Sequence, residues 1–187
     1  MTDRVFSRAA WFIAGFLFLM CSFLTLRAYD AEESHASSSP IPAAQSAPEK
    51  ESLKDLRGVS VIIEQIKPNV QHIISSEQAR AIVEARLRLN AVPILSKEEV
   101  LKTKGAGHLY LKLKILRAGA ANQYSYSWQL QLLQRVSLDR DPSFRMLAPT
   151  WNRDDMGFAS GSLAASDLKE AIKDVVDRFC IDYRTNN

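Results

Sequence analysis

Residues 108–116 read HLYLKLKIL, with Leu109, Leu111, Leu113 and Ile115 at every second position and His108, Tyr110, Lys112 and Lys114 between them. A period of two belongs to a β-strand, whose successive side chains point to opposite faces. One apolar and one polar face mean a sheet packed on one side and open to water on the other. This stretch alone argues against a helical bundle and against a sheet covered on both faces. The next stretch, YSYSWQLQLLQRVSL (124–138), repeats the pattern. Tyr124, Tyr126 and Trp128 share a parity with Leu130, Leu132, Val136 and Leu138, broken only by Gln134. An aromatic ladder can be a stacking platform for sugars. Here it continues into an aliphatic face, so the reading is core.

The remaining elements follow from local signals. GVSVIIEQI (58–66) is β-branched and reads as a strand ended by Lys67-Pro68-Asn69. Ser75 with Gln78, and Ser96 with Glu99, have capping-box spacing and open two helices, the first stopped at Asn90. Between them AVPIL (91–95) reads as a short edge strand because of Pro93. Residues 117–123 form a hairpin loop, DRDP (139–142) a turn, and SFRMLAPTW (143–151) a third long strand. NRDDMGFASGS (152–162) reads as a loop, with Ser162 or Ser166 capping a last helix. Leu168, Ile172, Val175 and Phe179 form that helix's stripe. The expected fold is α/β, of α+β-like character. It is a mixed sheet in the order β-α-β-α-β-β-β-α, with helices on one face and an antiparallel C-terminal meander.

The N-terminus carries a different signal. Arg4 and Arg8 precede an uncharged run from Ala9 to Leu26, and Arg27, Asp30, Glu32 and Glu33 follow it. Basic residues before an apolar core mark an export signal. The run is long for a cleaved signal and just short of a comfortable bilayer span. Residues 1–28 are therefore read as a signal peptide or a signal anchor. Residues 29–52 are read as a disordered Ala/Ser/Pro linker, and 53–187 as a single α/β domain. The expected location is periplasmic or otherwise extracytoplasmic, with inner-membrane anchoring if the signal is retained. Of the two cysteines, Cys21 lies in the apolar run and Cys180 in the last helix. Cys180 is expected as a small buried hydrophobe.

The element order resembles the small α/β domain at the N-terminus of TolB, and also the curli-secretion lipoprotein domain. The stretch Pro149-Thr150-Trp151 with Gly157 and Gly161, and the ending VVDRFCIDYRTNN, are similar to a set of short exported bacterial proteins over most of residues 55–187. The architectural resemblance implies contact with other proteins of the bacterial envelope. The second implies no activity.

Chemistry is sparse. His35, His72 and His108 are far apart, and no His/Cys pair has metal-ligand spacing, so neither a metal nor a cofactor is expected. His108, at the start of a strand on its polar face, reads as solvated. The glycines of KGAGH (104–108) lead into a strand, not a helix, so no phosphate loop forms there. A formal net charge of +3 without a basic cluster argues against nucleic acid. No catalytic residue is expected.

Two surfaces remain. One is the polar sheet face, with Tyr110, Lys112, Lys114, Arg135 and Arg145. The other is the segment after the third strand, with Trp151, Arg153, Asp154 and Asp155. The leading expectation is a non-enzymatic envelope protein that contacts a protein partner, touching membrane only through its N-terminal segment. The alternative is a small ligand-binding or hydrolytic domain using residues 151–162, with Ser160 beside the two aspartates. Trp151 and Tyr110 are the aromatics expected to be exposed.

Overall fold

A computed structural model describes residues 46–118 and 122–187 of the chain. The expected export segment and most of the expected linker lie outside the described residues. The elements in chain order are α1 (Ser46–Glu51), β1 (Gly58–Ile63), α2 (Ser76–Leu89), α3 (Lys97–Lys102), β2 (Ala106–Ala118), β3 (Gln123–Leu138), β4 (Asp141–Ser160) and α4 (Ala164–Asn186). The strands form one mixed sheet in the order β1-β2-β3-β4. β1 runs parallel to β2, while β2, β3 and β4 form an antiparallel meander. Both capping boxes are present, Ser75 with Gln78 and Ser96 with Glu99.

Alternation settles which face is which. Val59 and Val61 of β1, Leu109, Leu111, Leu113 and Ile115 of β2, and Tyr124, Trp128, Leu130 and Leu132 of β3 are buried on one side. They meet Ala79, Val83 and Leu87 of α2 and the Leu168, Ile172, Val175 and Phe179 stripe of α4. The aromatic ladder is core. Removing such surface from water is the main favourable term in folding. Arg86 of α2 pairs with Asp177 of α4 and ties the two helices across their contact.

Four expectations are corrected. The linker reading ran to residue 52, but Ser46–Glu51 is helical and docked. Glu49 meets Arg153 at 2.5 Å, and the Ser52 hydroxyl donates to the Thr150 carbonyl at 3.1 Å. Charge pairing and a satisfied strand-edge carbonyl hold what composition alone assigned to coil.

Second, AVPIL forms only a single parallel bridge, Ile94 to Val59. Its hydrogen bonds are Val59 N–H to Pro93 O and Leu95 N–H to Val59 O. Pro93 has no N–H to extend the ladder.

Third, helices are not confined to one face. Ser60 and His108 have the opposite parity to the core residues, yet both are buried. α3 packs on β1 and β2 and covers them, with Val100 buried beneath it.

Fourth, residues 152–160 are strand, not loop. β4 pairs with β3 from Trp151 to Ser160 without a break. Helix α4 then begins after Leu163, which provides no side-chain cap; Ser166 instead donates to the Leu163 carbonyl.

Gly157 explains part of that strand's sequence. It lies opposite Tyr126, and a Cβ there would sit 2.6 Å from the ring. The ring covers a glycine whose backbone would otherwise be bare. Gly157→Ala is expected to cost about 1–3 kcal/mol through this overlap. Tyr126→Ala should largely remove that penalty, which thermal melts of the two single variants and the double variant would measure. Equal costs in both backgrounds would rule out the overlap.

Candidate functional site

The open face of the sheet is built in rows set by the strand register. Tyr110, Gln131 and Asn152 form one row, and Lys112, Gln129 and Asp154 the next. Lys114, Ser127 and Met156 follow, then Leu116, Ser125 and Phe158. β2 thus supplies lysines, β3 supplies Gln and Ser, and β4 supplies a carboxylate and two large apolar side chains. Lys112, Lys114, Ser127, Gln129, Asp154 and Met156 line a shallow depression of about 400 Å³. Tyr110 donates to Glu64 at 2.6 Å, and Lys112 is 3.5 Å from the same carboxylate. The Glu64 carboxylate beside it raises the Tyr110 phenol above its ordinary range. Glu64 therefore fixes one border of the face, while Lys114 has no carboxylate partner among the described residues.

This end of the face carries large apolar side chains where water is expected. Leu116 is 60% exposed, Met156 72% and Phe158 77%. Met156 and Phe158 are two residues apart on β4, and so share this face. Leu116 lies two strands away in the Phe158 row, roughly 10 Å across the sheet. Isolated exposed apolar residues are ordinary, whereas these three large ones lie on one face of the sheet.

The structure divides the residues expected at a site. Tyr110, Lys112, Lys114 and Asp154 share the open face. Trp151, Arg153 and Asp155 have the other parity and sit on the helix side. Trp151 is fully buried, contrary to the expectation of an exposed aromatic. Its indole N–H donates to Asp182 at 3.0 Å, its ring meets Phe179 edge to face at 5.2 Å, and the Arg153 guanidinium lies 4.8 Å from the ring centroid. Arg153 also reaches Glu49 and Asp182, so it clamps α1 and α4 to β4. Asp155 lines a small hollow with Tyr126, Trp128 and Arg178. The two adjacent aspartates therefore point apart.

The serine reading loses its geometry as well. Ser160 ends a strand, and its hydroxyl is 3.3 Å from that of Ser162. The Ser–His pair that does form is Ser60 Oγ with His108 Nδ1, 2.6 Å apart. His108 is not solvated as expected; burial under α3 and the nearby Lys97 lower its pKa and hold the ring neutral. Ser60 is sealed at 2% exposure, so its hydroxyl meets no substrate. Among the described residues no group of three His, Cys, Asp or Glu gathers as metal ligands, and no helix is long and apolar enough to cross a membrane.

No known family model, curated protein or solved structure matches this chain.

Proposed function

We propose that the chain is a non-enzymatic, exported interaction domain that docks a protein of the cell envelope on its open sheet face. The observation that carries this reading is the exposed patch of Leu116, Met156 and Phe158 beside Lys112, Lys114 and Asp154. An apolar centre bordered by both signs of charge suits a protein surface. A polyanion or an anionic lipid surface would favour positive charge alone. The export pattern at the N-terminus supports an envelope location, and the resemblance to envelope α/β domains agrees with it.

The test places a photocrosslinking amino acid at Phe158 of the full chain in envelope preparations, with Leu89 on exposed α2 as the control position. A discrete adduct with another protein at 158 and none at 89 is the expected result. A ladder equal at both positions, monomer alone, or an adduct with a second copy of this chain would overturn it.

A further inference from the structure

At the opposite end of the open face, beyond the Tyr110–Gln131–Asn152 row, lies a second and larger hollow of about 530 Å³. One wall is α3 with the turn after it, supplying Val100, Leu101, Lys102 and Lys104. The other wall is the β3–β4 hairpin, supplying Leu133, Arg135, Arg145 and Leu147. That hairpin is an arm. β2 pairs with β3 only as far as Leu133, and no residue from Leu133 to Thr150 is buried. A two-stranded hairpin is marginal in water without support. This one nevertheless exposes Phe144, Met146 and Leu147 at 50, 46 and 52%.

The charge of the hollow is one-sided. Lys102, Lys104, Arg135 and Arg145 line it, and no carboxylate does. None of the four pairs with an acid among the described residues. His108 also lines it. Its Nδ1 is 2.6 Å from the buried Ser60 hydroxyl, and its Nε2 has no partner among the described residues. The groove thus holds four cations and an imidazole, set among Val100, Leu101, Leu133, Met146 and Leu147.

We infer that this groove binds an extended acidic peptide segment of a partner protein, its carboxylates alternating with apolar residues. Charge complementarity requires an anion. The spacing selects an extended chain. Arg135 lies opposite Leu147, and Arg145 opposite Ser137, so the two arginines are diagonal neighbours on one face of the arm. Such neighbours are roughly 7–8 Å apart, close to the ~7 Å between residues i and i+2 of an extended peptide. Carboxylates on one side would meet the two guanidiniums and the lysines, while apolar residues on the other would cover the exposed Leu101 and Leu147. A free phosphate would leave those apolar walls wet. A flat membrane would not enter a concavity. This site is separate from the Leu116–Phe158 patch, and either can fail without the other.

The test titrates a fluorescein-labelled Glu-Val-Glu-Leu-Glu-Val peptide into the full chain at low salt and reads anisotropy. Saturable binding is expected, weakened roughly tenfold or more by R135E or R145E, and weakened by rising salt. R135Q should give an intermediate loss with an unchanged melting temperature, which separates lost charge from lost fold. A peptide with Lys in place of Glu should not bind. No binding of the acidic peptide, or equal binding by the charge-reversed variants, would overturn the inference. So would phosphatidylglycerol vesicles or a single-stranded oligonucleotide that bind the wild type and lose the R135E variant, while the peptide discriminates less.

Discussion

Trp151→Ala is expected to lower the unfolding free energy by about 3–5 kcal/mol, the range for deleting a buried large aromatic. The side chain is fully buried, and three further contacts depend on it: the Phe179 ring, the Asp182 carboxylate and the Arg153 guanidinium. Truncation leaves a cavity and strips Asp182 of its indole donor. Trp151→Phe separates these effects. It retains an aromatic ring against Phe179 and removes the donor with only part of the indole's volume, while Lys50 and Arg153 remain 3.5 Å from Asp182. That variant should cost about 1.5–3 kcal/mol, the worth of a hydrogen bond to a charged group, and less than the alanine variant. Urea denaturation with a constant m-value is the measurement. A loss below about 1 kcal/mol for the alanine variant would contradict the residue's place in the core.

Cys180 provides the second large effect. It is free and fully buried, and burial pushes its thiol up from 9.0 to about 11. At pH 8 the thiolate fraction falls roughly 100-fold for such a shift, before restricted access slows reagent further. In a Cys21→Ser background, labelling of the native protein should be at least ~100-fold slower than in denaturant. The same shift has a stability consequence. The unfolded thiol ionises first, so the unfolded state holds fewer protons between pH 9 and 11. Stability from this group is full below pH 9 and falls as pH rises through that window, by up to about 3 kcal/mol. Burial also raises Tyr126 and Tyr183 from their ordinary values, and their alkaline ionisation acts in the same direction. Fast native labelling at pH 8 would show that Cys180 is accessible.

The meander was legible in the sequence because alternation is a local signal with one meaning. Leu109, Leu111, Leu113 and Ile115, and the Tyr124–Leu132 ladder, point inward as their spacing requires. The capping boxes were legible for the same reason, since Ser75 and Ser96 act over three residues. What escaped was non-local. Residues 152–160 are polar, with Asn, Arg and two Asp, and look like loop. They remain in the sheet because β3 supplies hydrogen-bond partners along their whole length, and because Arg153 finds Glu49 and Asp182. Trp151 looked like an exposed aromatic beside charges, yet its indole is satisfied by Asp182 of the last helix, and of the neighbouring charges only Arg153 meets its ring. His108 looked solvated because nothing near it in sequence shows that α3 crosses over it. The basic groove was invisible for the same reason: its cations come from Lys102 and Lys104 on one side and from Arg135 and Arg145 on the other. Only folding brings them together. Of the expected site residues, Tyr110, Lys112 and Lys114 share a face because parity could be counted; Asp154, read as loop, joins them only through the pairing of β4 with Gln129.

The tie between the C-terminal helix and the first elements bears on the order in which the chain acquires structure. β2, β3 and β4 pair with their neighbours in sequence, and such hairpins close quickly. β1 and α2 are different. Their core is completed by α4, through Arg86 with Asp177 and through Asn187 reaching the Leu53 carbonyl. These contacts span 91 and 134 residues of chain. A nascent chain ending before α4 would hold a twisted sheet with a bare apolar face, a sticky surface for chaperones or for its own kind. Folding of this domain should therefore be slow relative to its hairpins and limited by the arrival of one helix. Any partner meeting the chain during synthesis would meet that naked inner face first and the finished outer one only afterwards.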